Sequence, residues 1–139
     1  MISHSKEETQ QLGKEIAQKL SSGDVLALIG DLGAGKTTFV QGLASGLGVA
    51  APRDVRSPTF ILLSEYQGRL PLTHIDFYRL NNVRALDMLG LEEYFNGNGV
   101  TVIEWADRFP NILPSRTLTI SLKIIDETRR EIVLPPSLC

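Results

Sequence analysis

The sequence predicts an α/β fold in which helices flank a mixed sheet with a parallel core and antiparallel hairpins. Three observations carry that prediction. Val25-Leu26-Ala27-Leu28-Ile29 is a short, wholly apolar run of the kind buried on both faces of a parallel sheet. Beyond the glycine-rich stretch that follows it, Phe39, Val40, Leu43, Ala44 and Leu47 recur at helical spacing, with Gly48 placed as a C-terminal cap. Further along, β-rich segments come in pairs joined by short turns, and a hairpin pairs its strands antiparallel, so the sheet is mixed.

In chain order, Ser5 followed by Glu8 forms a capping box, and Leu12, Ile16, Ala17 and Leu20 continue as an apolar helical stripe that ends near Gly23. The apolar strand and the second helix come next. From Val49 to Pro58 periodicity is lost and Pro52, Arg53, Asp54, Arg56 and Pro58 predict an exposed loop. Phe60 to Tyr66 and Leu70 to Asp76 are expected to form a hairpin around Gln67-Gly68-Arg69. Asn82 to Phe95 is helical in pattern but interrupted at Gly90, which implies one bent helix or two short ones. After the turn cluster Asn96-Gly97-Asn98-Gly99, Val100-Thr101-Val102-Ile103 is a core strand that delivers Glu104 and Trp105 at its end. Thr117 to Ile124 alternates strictly, as a strand with one wet face does, and is expected to pair with Arg130 to Leu134 across a turn at Asp126 to Thr128. Pro135-Pro136 is expected to end the fold.

At 139 residues the chain is expected to form one domain spanning 1–139. Its formal net charge of −2 gives no general attraction to nucleic acid or anionic lipid, which disfavours tight autonomous RNA binding. No run approaches the ~20 apolar residues of a membrane span, and the N-terminus lacks the apolar core of a signal peptide. The single cysteine, Cys139, cannot form an internal disulfide, which suits the cytoplasm.

The stretch between the apolar strand and the second helix, Gly30-Asp31-Leu32-Gly33-Ala34-Gly35-Lys36-Thr37, fits the phosphate-loop pattern G-x-x-x-x-G-K-[ST]. Glycines let the backbone curl so that successive N–H groups point into one concavity, and the helix N-terminus adds its positive dipole end. The expected nucleotide contacts are Gly33, Ala34, Gly35, Lys36, Thr37 and Thr38. Lys36 is placed to reach the β- and γ-phosphates and Thr37 to ligate magnesium. The strand before and helix after the loop are the context it needs, and together they specify a P-loop NTPase fold.

Phosphoanhydride hydrolysis also needs groups that hold the metal and orient or deprotonate the attacking water. In an open α/β sheet these gather at the carboxyl ends of the strands. Asp76 and Glu104 both satisfy that position, and either could hold the magnesium and leave the other to the nucleophile. A strand-end acid also has plainer uses, such as capping a helix or pairing with Arg79. Thr59, at the start of a strand after the irregular loop, is a candidate sensor of the γ-phosphate. Trp105 could shield the site or meet a partner, although an aromatic after a core strand is more often packing. His74 shares a strand face with Leu72 and Asp76 and is read as packing rather than catalysis. No Asn-Lys-x-Asp element for guanine is present, and Asp87-Met88-Leu89-Gly90 lies in a helical stretch, so ATP is the expected nucleotide.

Taken in order, the phosphate loop with Thr38, Ser57-Pro58-Thr59-Phe60, His74-Ile75-Asp76-Phe77-Tyr78-Arg79-Leu80 and Val102-Ile103-Glu104-Trp105 strongly resemble the TsaE family. These are small bacterial P-loop ATPases of tRNA threonylcarbamoyladenosine (t6A) synthesis. The resemblance thins to strand pattern alone beyond Pro114. It implies a cytoplasmic Mg2+-dependent ATPase that binds a complex of the TsaB and TsaD proteins and is linked to tRNA indirectly through that complex; because the sequence shows no obvious arginine finger, hydrolysis by the chain alone is expected to be weak. By the same resemblance Thr37 and Glu104 hold magnesium, Lys36 the phosphates, and Asp76 belongs to the catalytic neighbourhood. Thr59 corresponds to a switch-like threonine, Trp105 to an aromatic beside the nucleotide, and the segment from Lys6 to Thr9 to a cover for the adenine. Two other readings compete: a small P-loop kinase acting on a metabolite, and a non-catalytic module whose docking is gated by nucleotide.

Overall fold

A run of apolar strands inside a shell of helices is what the structure, a computed structural model, displays over residues 1–58, 63–80, 84, 87 and 90–139. The strands are β1 (Ile2–Ser3), β2 (Val25–Ile29), β3 (Leu63–Tyr66), β4 (Leu72–Asp76), β5 (Val100–Glu104), β6 (Leu118–Ile124) and β7 (Arg130–Val133). The helices are α1 (Lys6–Ala17), α2 (Lys36–Gly46) and α3 (Leu91–Phe95). The strands form one sheet in the order β1-β7-β6-β2-β5-β4-β3. Its core β6-β2-β5-β4 is parallel, and the antiparallel pairs β3–β4, β6–β7 and β1–β7 complete its two sides.

Strand alternation sorts the core into two layers. Leu26, Leu28, Ile120, Leu122 and Ile132 face α1 and α2, where they meet Leu12, Ile16, Phe39 and Leu43. Val25, Ala27, Ile75, Phe77 and Ile103 point the other way, onto Leu91 and Phe95 of α3. The helix ends follow local chemistry. Ser5 caps α1 by accepting from the Glu8 N–H at 3.1 Å, while the Glu8 carboxylate accepts from the His4 N–H at 2.7 Å, one residue upstream of the reciprocal bond a full capping box makes. At the end of α2, Gly48 adopts φ +80, and the bonds Gly48 N–H to Ser45 O and Val49 N–H to Ala44 O complete a Schellman motif.

The structure departs from the sequence reading in four places. Helix α1 ends at Ala17 rather than near Gly23, because Lys19 and Leu20 donate to carbonyls three residues back and tighten the chain into a turn. The 49–58 loop is not wholly exposed: Pro52–Asp54 forms a 3-10 turn and Val55 is fully buried, its carbonyl accepting from Gln41 at 3.0 Å. The chain does not end its packing at Pro136, since Leu138 is buried and its carbonyl accepts from Lys19 at 3.1 Å. The two-residue β1 was not anticipated, being too short to show a period. Of the predicted elements, Thr59 to Leu62 and most of the helical stretch 81–89, with Met88 and Leu89 of the Asp87–Gly90 motif, lie outside the described residues.

Helices α1 and α2 approach closely enough that glycine is required at the crossing. A Cβ on Gly42 would sit 2.0 Å from the carbonyl oxygen of Gln10, and one on Gly13 would sit 2.5 Å from that of Phe39. Helix propensity alone favours alanine at an interior glycine by ~1 kcal/mol. Here both obstacles are backbone and cannot swing aside, so overpacking wins. Gly42→Ala is expected to lower unfolding free energy by about 1–3 kcal/mol in urea titrations; an unchanged or higher midpoint would show that the helices can separate without cost.

Candidate functional site

The loop from Gly30 to Gly35 leaves the carboxyl end of β2 and enters α2 with Gly35 as N-cap at φ 98. Gly33 is also left-handed, at φ 80, and a Cβ on it would meet nothing within 4 Å, as expected of a position that faces an open concavity. Gly30 serves differently: a Cβ there would lie 2.5 Å from the carbonyl oxygen of Leu122, so β6 passes too close for any side chain.

Lys36 begins α2 and is only 5% exposed. Its ammonium donates to the carbonyls of Gly30 and Asp31, the latter at 2.9 Å, and lies 4.3 Å from the centre of the Trp105 ring. Burial pushes the Lys36 ammonium below its ordinary value, and the carboxylates of Glu104 and Asp76 work against that shift.

Beside it stands a cluster of oxygens. The Thr37 and Ser57 hydroxyls are 2.6 Å apart, and Glu104 Oε2 accepts from Ser57 at 3.0 Å and from Thr37 at 3.3 Å. The same Oε2 lies 2.5 Å from Nε2 of His74, which is fully buried. Burial alone would raise the Glu104 carboxyl, but the bonds from His74 and Ser57 and the charge of Lys36 outweigh it and hold the group below the usual carboxylate value. Asp76 goes the other way. Its half-buried carboxyl is raised by burial and by the neighbouring Glu104, against the Tyr78 N–H that donates to Oδ1 at 2.8 Å.

A cavity of about 330 Å³ opens over these groups, walled by Lys36, Thr37, Asp76, Glu104, Tyr78 and Trp105. A second, of about 320 Å³, shares Lys6, Gly33, Gly35 and Thr38 with it and runs under His4 and Thr9 to Thr128 and Arg130. The chemistry of the oxygen cluster fits magnesium: two hydroxyls and one carboxylate are hard donors. Among the described residues no group of three or more His, Cys, Asp or Glu is arranged to hold a metal, so an ion held by these oxygens would need phosphate oxygens and water for the rest of its shell.

Lys36, Thr37, Asp76, Glu104 and Trp105 are thus brought together, with Gly33, Gly35 and Thr38 on the cavity walls and Ala34 buried in the loop behind them. Thr59 lies outside the described residues. Asp76 is engaged by the Tyr78 backbone, not by Arg79. Sequence reasoning missed three participants. Ser57 was passed over in favour of Thr59, although a hydroxyl two residues earlier carried the same signal. His74 was assigned to packing because nothing in its spacing shows that it leans toward Glu104. Tyr78, whose ring packs 4.9 Å from that of Trp105, had no local signal.

A glycine loop joining a central parallel strand to a helix, with acids at the ends of the adjacent strand β5 and of β4 beyond it, defines a P-loop protein. The family model of the threonylcarbamoyl adenosine biosynthesis protein TsaE matches residues 3–132. A relative from Treponema pallidum, a tRNA threonylcarbamoyladenosine biosynthesis protein TsaE, is 44% identical over 133 residues, covering 96% of this chain and 97% of the relative. The Bacillus subtilis protein of the same name is 48% identical over 127 residues, covering 91% and 78%. A crystal structure of Bacillus subtilis YdiB superposes with a TM-score of 0.77 at 41% identity, over 95% of this chain and 80% of that one. The chain belongs to the TsaE family.

The opposed shifts of the two acids have a measurable consequence. A carboxyl raised in the folded state binds its proton more tightly there than in the unfolded chain, so the ionised Asp76 opposes folding at neutral pH and the opposition fades as pH falls through the raised value. Asp76→Asn, whose amide oxygen still accepts from Tyr78, is expected to raise the melting temperature at pH 7.5 in EDTA. The gain should vanish toward pH 4; a gain independent of pH would point to packing instead.

Proposed function

We propose that this chain is a magnesium-dependent ATPase of tRNA threonylcarbamoyladenosine modification, acting on a complex of TsaB and TsaD. The pathway rests on family membership, since the Treponema pallidum and Bacillus subtilis relatives carry that pathway in their names. The hydrolytic part rests on one observation: the Thr37, Ser57 and Glu104 oxygens cluster at the start of α2, with a second acid of opposite pKa shift, Asp76, beside them.

Each residue then has a role in keeping with its surroundings. The backbone N–H groups of Gly33, Ala34, Gly35 and Thr38 would cradle the phosphates, and Lys36 would turn from the loop carbonyls to the β- and γ-oxygens. Thr37 and Glu104 would hold the metal, for which a carboxylate kept ionised is suited. Magnesium, when bound, neutralises charge that develops on the phosphate oxygens. Asp76, the more basic acid, would orient or deprotonate the attacking water; environments that push paired carboxyls apart commonly divide their labour in this way. Trp105 would sit beside the nucleotide. Thr59 would serve as the switch-like threonine, and the base would enter the second cavity against the first turn of α1, as the family resemblance implies. The described residues that wall the phosphate cavity include no arginine. Supply of such a charge by a partner is worth ~10³ to 10⁵ in rate, so hydrolysis by the isolated chain should be slow and rise on adding TsaB and TsaD. One domain spanning 1–139 and a cytoplasmic setting complete the reading, in keeping with the absence, among the described residues, of any helix long and apolar enough to cross a membrane.

The test is a reconstitution with TsaB, TsaD and tRNA. Lys36→Ala should abolish nucleotide binding. Asp76→Ala should still bind ATP while hydrolysis falls by ~10² to 10⁴, the usual worth of a positioned base. Both should stop t6A formation beyond a first turnover. Phosphate appearing on a metabolite would replace this reading with a kinase, and ATP-dependent co-elution without phosphate release would replace it with a docking module.

A further inference from the structure

Among the described residues, the imidazole of His74 is the one buried titratable group near the site that the proposed chemistry does not use. It stands on β4 two residues before Asp76, on the same strand face, opposite Val102 of β5 in register. From there it leans along the strands to Glu104 Oε2 at 2.5 Å. Its other nitrogen, Nδ1, is buried with no hydrogen-bond partner among the described residues. Such a group costs free energy relative to an apolar side chain of similar volume. Packing alone would therefore favour leucine here, and the bond to Glu104 is what offsets the cost. An unpaired acceptor is cheaper to bury than an unpaired N–H, so the hydrogen belongs on Nε2, directed at the carboxylate.

The bond also divides the work of the two carboxylate oxygens. Oε2 accepts from His74, Ser57 and Thr37, whereas among the described residues Oε1 has a single long contact, 3.4 Å to the Thr37 hydroxyl. We propose that His74 is a positioning residue, an outer-shell donor that saturates Oε2 of Glu104 and fixes the carboxylate so that Oε1 is presented beside Thr37 to the metal. The proposal rests on the assignment of Glu104 to magnesium made above. Outer-shell partners of this kind orient a ligand without touching the ion, and their removal costs ~10- to 100-fold in metal affinity or activity.

The chain's only tryptophan, Trp105, lies against Lys36 and supplies a binding signal that does not depend on turnover. Fluorescence titrations with a non-hydrolysable ATP analogue are made in EDTA and across a range of Mg2+. For His74→Leu the Mg2+ concentration at half-saturation should rise ~10- to 100-fold while analogue affinity in EDTA changes by no more than about twofold. His74→Gln, whose amide nitrogen can stand in for Nε2, should stay within about threefold of the parent in both. If His74→Leu does not fold, His74→Asn, whose shorter amide falls short of Glu104, takes its place. The proposal is overturned if the apolar or short variant keeps the parental Mg2+ requirement, if affinity falls equally with and without Mg2+, or if glutamine fails to rescue. Glu104→Gln separates this from the reading beneath it: an unchanged Mg2+ requirement in that variant would overturn the assignment of Glu104 itself, whatever His74 does.

Discussion

Parallel pairing of β2, β5 and β4 is the constraint on which the site depends. Parallel strands end together, and the register sets Leu28 of β2 and Asp76 of β4 both opposite Glu104 of β5. The phosphate loop therefore begins two residues beyond the point where the two acids are delivered. Alternation does the rest: His74, Asp76 and Glu104 share the face on which α2 packs, while Ile75, Phe77 and Ile103 fill the opposite layer. A slip of one residue in β5 would turn Glu104 into that apolar layer, so the burial of Ile103 and the placing of Glu104 are one specification.

The same economy governs the elements around the loop. The bare crossing at Gly13 and Gly42 lets α1 lie close on α2, which carries Lys6 and Thr9 to the rim of the loop. Trp105 is the one non-glycine residue with positive φ among the described residues, at 58. Such a conformation costs about 1–3 kcal/mol and persists only where its surroundings over-determine it. Here the ring packs against Tyr78 and Lys36, and Arg108, three residues on, bonds the carbonyls of Tyr78 and Leu80, tying the chain after β5 to the chain after β4. The strain turns the strand end sharply, so that Trp105 lies across the cavity instead of continuing outward.

What could be read from the sequence was whatever is encoded within a few residues. The loop, its flanking strand and helix, both hairpins and the strands ending in Asp76 and Glu104 rest on local periods and turn chemistry, and each is present where described. Contacts across the chain were not legible in that way. Ser57 joins the cluster only because Val55 anchors its loop under α2, and a single buried valine in a proline-rich stretch carries no period. His74 looks like any strand residue until β4 and β5 are set in register. Leu138 seemed surplus after two prolines because it joins a core built from distant parts of the chain, with its carbonyl held by Lys19.

These long-range contacts also determine how tightly the site can hold a nucleotide. The ammonium of Lys36 is bonded to two loop carbonyls and lies on the face of Trp105, and Thr37, Ser57 and Glu104 are hydrogen-bonded to one another. A polyphosphate entering this cavity does not find bare charges awaiting a partner. It exchanges one satisfied set of contacts for another, and only the difference contributes to affinity. The burial of Lys36 and Asp76 leaves a residual electrostatic cost on the protein side of the site, and by that logic the favourable balance on binding falls to its relief at Lys36 and to the backbone amides of the loop, which the side-chain network leaves to the ligand.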